Sequence, residues 1–227
     1  MPRLDAARQQ ALSVSLATGA YGLSFGALSV AAGLDVWQTM ALSLLLFSGG
    51  SQFAFIGVIA AGGSGAAAVA TSTFLGVRNG FYGIALAPFM RPMRAFTRAA
   101  AAQLTIDEST AVALAQPPHD VPARRAAFWW TGIGVFVAWN AITLLGAVLG
   151  SAIGDPSDWG LDAAAAAAFL GLVWPRLASR RAQGVAAASA VLALVLTPLL
   201  PAGLPILAAA LVAIAAGWNA PAREVPE

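Results

Sequence analysis

The chain has 227 residues, 59% of them hydrophobic and 10% charged, with a mean hydropathy of +0.77. Soluble chains are about 45–50% apolar and about 25% charged, so too few charged side chains are available here for a water-facing surface, and the composition is that of a membrane protein. All twelve basic residues are arginine and the net charge is only +2, which argues against a nucleic-acid partner. The chain has no cysteine and a single histidine, His119, which removes disulfides, thiolate nucleophiles and most metal chemistry. No metal or cofactor is expected.

Spanning about 30 Å of hydrocarbon takes roughly 20 mostly apolar residues in a helix. Seven stretches are read as spans: Ala11–Ala32, Trp37–Ala61, Ala66–Pro88, Ala127–Gly150, Leu161–Val173, Val185–Leu200 and Leu204–Trp218. Unbroken Ala/Leu/Val/Gly runs exclude the alternating strands of a membrane β-barrel, so the expected fold is all-α, a polytopic helical membrane protein of about seven transmembrane helices. Arg3 and Arg8 precede the first stretch, but it is too long for a signal-peptide core and is read as a retained span.

The second stretch carries Phe47-Ser48-Gly49-Gly50-Ser51-Gln52-Phe53 at its middle. Small residues and hydroxyls there suit close helix packing. They also suit a helix opened at Gly49-Gly50, whose backbone, with Ser51 and Gln52, holds the polar end of a solute. The third stretch carries Arg78-Asn79-Gly80 about halfway along. A charge at that depth costs roughly 2.5–3.5 kcal/mol on insertion scales, so Arg78 is read either as half of a structural ion pair or as a bidentate ligand of a substrate carboxylate.

Ala99–Gln116 is expected to form a surface or re-entrant pair of short helices. Thr105 with Glu108 fits a capping box, and Asp107 with Glu108 forms the adjacent acidic pair that either starts that helix or serves as a partner of Arg78 and carrier of a coupling proton. The Trp residues near span ends, Trp139 within the fourth among them, are assigned to interface anchoring. His119, in Pro-Pro-His-Asp, is read as a solvated turn residue.

Arginines 91, 94, 98, 124 and 125 in the central connection and 176, 180 and 181 after the fifth span are placed in the cytoplasm. Seven spans then put the N-terminus outside, with Arg3 and Arg8 against the rule. Aligning Trp37 with Trp159 brings Phe47 onto Phe169 and Gly49 onto Gly171, and a two-residue shift puts Gly26-Ala27-Leu28 on Gly146-Ala147-Val148. Three spans separate the copies, so an inverted-topology repeat is expected, within one domain over residues 1–227: repeat 1 about 11–90, connection 91–126, repeat 2 about 127–205, and a final helix 204–218.

Four segments together, Gly19-Ala-Tyr-Gly-Leu-Ser-Phe-Gly26, Phe47-Ser-Gly-Gly-Ser-Gln52, Val77-Arg-Asn-Gly-Phe-Tyr-Gly83 and Leu104-Thr-Ile-Asp-Glu-Ser109, resemble in order and spacing the AzlC family, the large subunit of bacterial branched-chain amino-acid exporters. The resemblance implies export of leucine, isoleucine and valine, and also methionine, across the bacterial plasma membrane, in a complex with a small hydrophobic subunit of the AzlD type. The expected substrate set is Arg78 for the carboxylate, with Asn79, Gln52, Ser51, Gly49 and Gly50, the opened backbone meeting the ammonium group and Gly/Ala walls taking the side chain. Asp107 and Glu108 are the expected ion-pair or proton-coupling groups. Without a Walker motif, ATP is not the direct energy source. Two other classes stay open: a non-transporting membrane partner subunit, and an intramembrane serine hydrolase using Ser48 or Ser51, which lacks a base within reach.

Overall fold

The computed structural model describes residues 2–153, 170, 173–174 and 177–218, and these form helices joined by short turns, with no strand among them. The helices are α1 (Pro2–Ala31), α2 (Val36–Leu45), α3 (Gly49–Ala60), α4 (Gly65–Met90), α5 (Ala95–Gln103), α6 (Asp107–Leu114), α7 (Val121–Ile153), α8 (Arg180–Leu196) and α9 (Leu204–Trp218). The stretches Asp5–Ala31 and Val121–Ala152 are long and apolar enough to cross a membrane, while α2, α3 and α9 are apolar but shorter. The expected fifth span, Leu161–Val173, falls almost wholly outside the described residues.

The frame is the seam between α1 and α7. Glycines on each helix face the other's backbone: a methyl group at Gly19 would lie 2.7 Å from the Ala138 Cβ, and one at Gly22 would lie 2.7 Å from the Trp139 carbonyl oxygen. At Gly26 it would collide with the carbonyl of Thr143, and at Gly146 with that of Leu23. Small residues that let backbones touch are how helices associate tightly where no hydrophobic effect drives them together.

The order of these contacts fixes direction. Ser15 meets Gly134, Gly19 meets Ala138, Gly26 meets Ala147 and Ala27 meets Gly150, so α1 and α7 run parallel. An inverted repeat would have made them antiparallel, and that expectation is corrected. The segments aligned by sequence, Gly26-Ala27 and Gly146-Ala147, instead lie against each other reciprocally. Gly26 meets the residue three before Gly146, and Gly146 meets the residue three before Gly26, as a two-fold axis along the bundle would arrange.

The second expected span, Trp37–Ala61, is not one crossing. Asp35 caps α2 (Gln38 N–H to Asp35 Oδ1, 2.7 Å), and Thr39 Oγ1 donates to Ser29 Oγ at 2.8 Å, so α2 starts beside the end of α1. It descends until Phe47 meets Phe136, ring centroids 4.9 Å apart, near the middle of α7. The chain turns at residues 46–48, where the Gln52 amide donates back to the Ser43 carbonyl at 3.2 Å. Helix α3 then climbs to the turn before α4, where Gly63 packs on Val58. At ten and twelve residues, the two helices are about 15 and 18 Å long at 1.5 Å per residue, half the depth that α4 covers. The break falls before Ser48, so Gly49 and Gly50 open α3 rather than interrupting a longer helix.

Helix α4 runs opposite to α7: Arg125, near the start of α7, donates to the carbonyls of Phe89 (2.6 Å) and Arg91 (3.0 Å) at the end of α4. Helices α5 and α6 form a second half-depth hairpin, entered from the other end. Leu104 at its tip packs on Gly132, and α6 returns to the start of α7, where Arg124 Nε donates to the Ala113 carbonyl and Gln116 meets Gln10. The expected pair of short helices is present, with a different cap. Thr105 Oγ1 donates to the Ala101 carbonyl, while the Ile106 N–H is taken by Ser109 Oγ at 3.1 Å.

Helices α8 and α9 pair beside α4, with Gly203 in their turn against Ala67 and Thr71 and Arg181 bonded to the Ala216 carbonyl at the far end. The start of α1 lies at the start of α7: Ala7 packs with Ala127, and Arg8 stands over the Trp130 ring. The N-terminus and the central arginines therefore share one end of the bundle, correcting the expectation that placed them on opposite sides.

Because the seam depends on backbone contact, Gly26→Leu should overpack it at a cost of about 1–3 kcal/mol, or a fall of roughly 2–12 °C in the thermal midpoint of the detergent-solubilised protein. Gly184→Ala, at a site with nothing within 4 Å of a new methyl group, should leave the midpoint unchanged or raise it slightly. Equal midpoints for Gly26→Leu and the parent chain would show the seam to be dispensable.

Candidate functional site

The tips of the two hairpins meet at the middle of the bundle, and Gln103 Nε2 at the end of α5 donates to the Leu44 carbonyl at the end of α2 at 2.8 Å. Beside them lies a cavity of about 270 Å³, slightly below the range of about 300–1,000 Å³ of drug-sized sites and suited to a small metabolite. Helix α1 contributes Thr18 and Tyr21; the α2–α3 tip contributes Phe47 through Gly50 with Phe53; α4 contributes Leu75 and Arg78; the α5–α6 tip contributes Ile106, Asp107 and Glu108; α7 contributes Val135 and Trp139.

Arg78 stands at the centre. Its Nη1 is 3.1 Å from Asp107 Oδ2, with the two side chains 30% and 24% exposed. A methyl group at Gly50 would come within 3.2 Å of Nη2, so the absence of a side chain there lets the guanidinium lie against the first turn of α3. Arg78 Nε is buried with no hydrogen-bond partner among the described residues.

Two helix N-termini converge on this point. The first N–H groups of a helix lack intrahelical acceptors, and the macrodipole places about half a positive charge there. Side chains cap α2, α4, α7 and α8: Asp35, Ser64, Asp120 and Ser179 each accept an N–H of the first turn. Ser48 does not cap α3, because its Oγ faces Ser51 Oγ at 3.2 Å. The α3 first turn is thus left with backbone donors beside Arg78, while the first turn of α6 carries Asp107 and Glu108. Anion-seeking and cation-seeking groups sit across one small cavity.

The sequence-derived set divides. Arg78, Gly49, Gly50, Asp107 and Glu108 line the cavity together. Ser51 and Gln52 are fully buried behind it, Gln52 with its amide turned to the α2 carbonyls, so it braces the hairpin and does not face the cavity. Asn79 lies one residue beyond Arg78 outside the lining, its Oδ1 buried without a partner among the described residues. The walls are aromatic and branched rather than Gly/Ala. Phe25, Phe53 and Trp139 form a cluster with centroids 5.6–6.3 Å apart, and Trp139 is 3% exposed, which corrects its assignment to interface anchoring. Among the described residues the Ser48 and Ser51 hydroxyls bond only each other, while His119 lies in the turn before α7, about 14 residues or roughly 20 Å below the cavity level.

A scan against protein families matches residues 13–153, more than half of the chain, to the family described as AzlC protein. No curated protein and no solved structure matches the chain. The matched region carries the cavity-lining residues of α1 to α7, and Val173, which also lines the cavity, lies beyond it. The chain belongs to the AzlC family, a transporter family associated with branched-chain amino acids.

Proposed function

We propose that the chain is a secondary membrane transporter that exports aliphatic amino acids, leucine, isoleucine and valine first and methionine also, working with a small AzlD-type membrane subunit. The observation that carries this reading is the central cavity, where a guanidinium, free helix-start amides, two carboxylates and an apolar wall converge. The substrate carboxylate is held by Arg78 and the α3 first turn at Gly49 and Gly50, a bidentate and charge-assisted match. The ammonium group lies toward Asp107 and Glu108. This inverts the arrangement expected from the sequence, with the ammonium near Gly49, because a helix start donates hydrogen bonds and repels cations. Phe47, Phe53, Val135 and Trp139 take the aliphatic side chain. A zwitterion leaves the charge balance of the cavity unchanged, which suits a site where every extra charge is costly.

The surface supports a bilayer setting. The fully buried side chains include Ser29, Thr39, Ser43, Thr71, Thr131 and Thr143, while Leu16, Ile84, Val137, Leu194 and Leu211 are 61–72% exposed. Large apolar side chains exposed on every long helix suit lipid rather than water, and hydroxyls between helices are the cohesive groups of a bundle in lipid. In this setting α1, α4 and α7 cross, and α2–α3 and α5–α6 enter halfway from opposite faces. The tolerated place for such breaks is against a cavity. Arg8, Arg91, Arg94, Arg98, Arg124, Arg125, Arg180 and Arg181 all lie toward one end, which the positive-inside rule assigns to the cytoplasm together with the N-terminus. The exception that the seven-span topology left unexplained disappears.

The chain's lack of cysteine makes single-cysteine labelling free of background. In intact spheroplasts, an impermeant maleimide should label Leu34→Cys but reach Asp5→Cys only after the membrane is opened; the reverse pattern would restore the seven-crossing topology. Arg78→Ala protein, verified as folded and inserted, should export leucine from preloaded cells roughly 10–100-fold more slowly, matching about 1.5–3 kcal/mol for hydrogen bonds to a charged group. Export at the parent rate would remove Arg78 from carboxylate binding. Leucine flux in liposomes, with and without the small subunit, separates a transporter from a partner subunit that moves nothing itself.

A further inference from the structure

A second cavity, of about 140 Å³, lies between the end of α4, the outer face of α5 and the start of α7. Met90, Arg91, Met93, Arg98, Thr105 and Phe128 are among its lining residues. Thr105 faces this cavity while Ile106 and Asp107 face the central one, so the turn at the α5–α6 tip is the wall between them. The two spaces lie in series along the bundle, one at the arginine-bearing end and one at mid-depth. They share guanidinium groups beside leucine and aromatic side chains; the second cavity adds Met90 and Met93, and the carboxylates Asp107 and Glu108 line the central one alone. The Arg91 carbonyl is pinned by Arg125, which fixes the backbone from which the Arg91 side chain extends. Among the described residues, neither Arg91 nor Arg98 is in an ion pair with a carboxylate.

Resting on the transport reading above, we infer that this second cavity is a loading subsite for the same zwitterionic substrate. Arg91 and Arg98 hold the carboxylate, the methionines and Phe128 hold the side chain, and the α5–α6 tip is the gate that passes the solute to Arg78. Both arginines are exposed, so the subsite is weaker than the central one and sensitive to salt. Its gate has an electrostatic latch: Asp107, on the tip, is paired with Arg78, and a substrate carboxylate arriving at Arg78 replaces Asp107 there. An anionic lipid headgroup would satisfy the same guanidinium groups, and the test separates the two sources.

Ala102 also lines the cavity, and Ala102→Cys in this cysteine-free chain reports its occupancy. In everted vesicles containing the protein with its small subunit, leucine should slow maleimide labelling of Ala102→Cys. Adding Arg91→Gln and Arg98→Gln should raise the leucine concentration needed for half-protection by about tenfold. Arg94→Gln, which removes a charge at the same end without touching the cavity, should leave it unchanged. Protection that is absent, or unaltered by the double substitution, overturns the subsite, as does labelling slowed by phosphatidylglycerol alone in place of leucine. Flux measured in the same vesicles keeps the two readings apart. Leucine transport without protection defeats the subsite alone, whereas protection without transport leaves leucine binding at this cavity standing and defeats the transport reading, and with it the loading role.

Discussion

A guanidinium placed at the midpoint of a 26-residue helix sets the terms for everything around it. In a low-dielectric interior an unpaired charge costs several kcal/mol even after relaxation, so Arg78 requires a carboxylate at the same depth. Among the described residues, no helix that runs straight through the bundle delivers one. The carboxylate comes from Asp107, in the first turn of a helix that stops halfway, and the facing cradle comes from Gly50, in the first turn of another. Half-depth hairpins place helix starts, with their free amides and the acidic residues that favour them, at a level where a continuous helix offers only closed hydrogen bonds.

The same requirement explains why polar groups are buried among the apolar core side chains while the exterior is greasy. The hairpins bring chain turns inside, and turns leave backbone groups that need partners. Gln52 and Gln103 answer this by donating to carbonyls at the end of α2, and Ser109 by accepting the Ile106 N–H. A cavity lined by such turns can be polar on one side and aromatic on the other. An amphipathic zwitterion needs both sides.

Much of the site was legible in the sequence because charge was so scarce. Arg78, Asp107 and Glu108 stood out against an apolar background, and the Ser48–Gln52 run marked a break in a helix. The direction of the chain after that break was not legible. Hydropathy sums a stretch identically whether it crosses once or folds back, and Trp37–Ala61 met the length criterion as one span. A signal was present in Arg3 and Arg8, which violated the positive-inside rule only if that stretch crossed. One miscounted crossing also reversed the parity between Gly26 and Gly146 and turned a parallel pair into an expected inverted one. Trp139 and Phe53 were hidden for a different reason: their role depends on which side of α7 and α3 faces the cavity, and an apolar helix in lipid carries no amphipathic stripe to reveal it.

Under the proposed transport reading, the α1–α7 seam constrains what can move. Glycines that let two backbones touch also remove the side-chain layer on which helices slide, and displacing Gly26 or Gly146 along the seam drives carbonyls into Cα atoms. Packed interfaces of this kind hold one arrangement rather than deforming continuously. Rocking of one half against the other, the motion expected of repeat-built transporters, would have to break that seam. The hairpins are lighter to move: α5 and α6 are nine and eight residues long and are held at the tip by the Arg78–Asp107 pair and the Gln103 bond. A motion confined to the hairpins leaves the α1–α7 frame and the Arg78 position fixed, so under the proposed transport reading a solute held at Arg78 would keep its site while access to it changed from one end to the other.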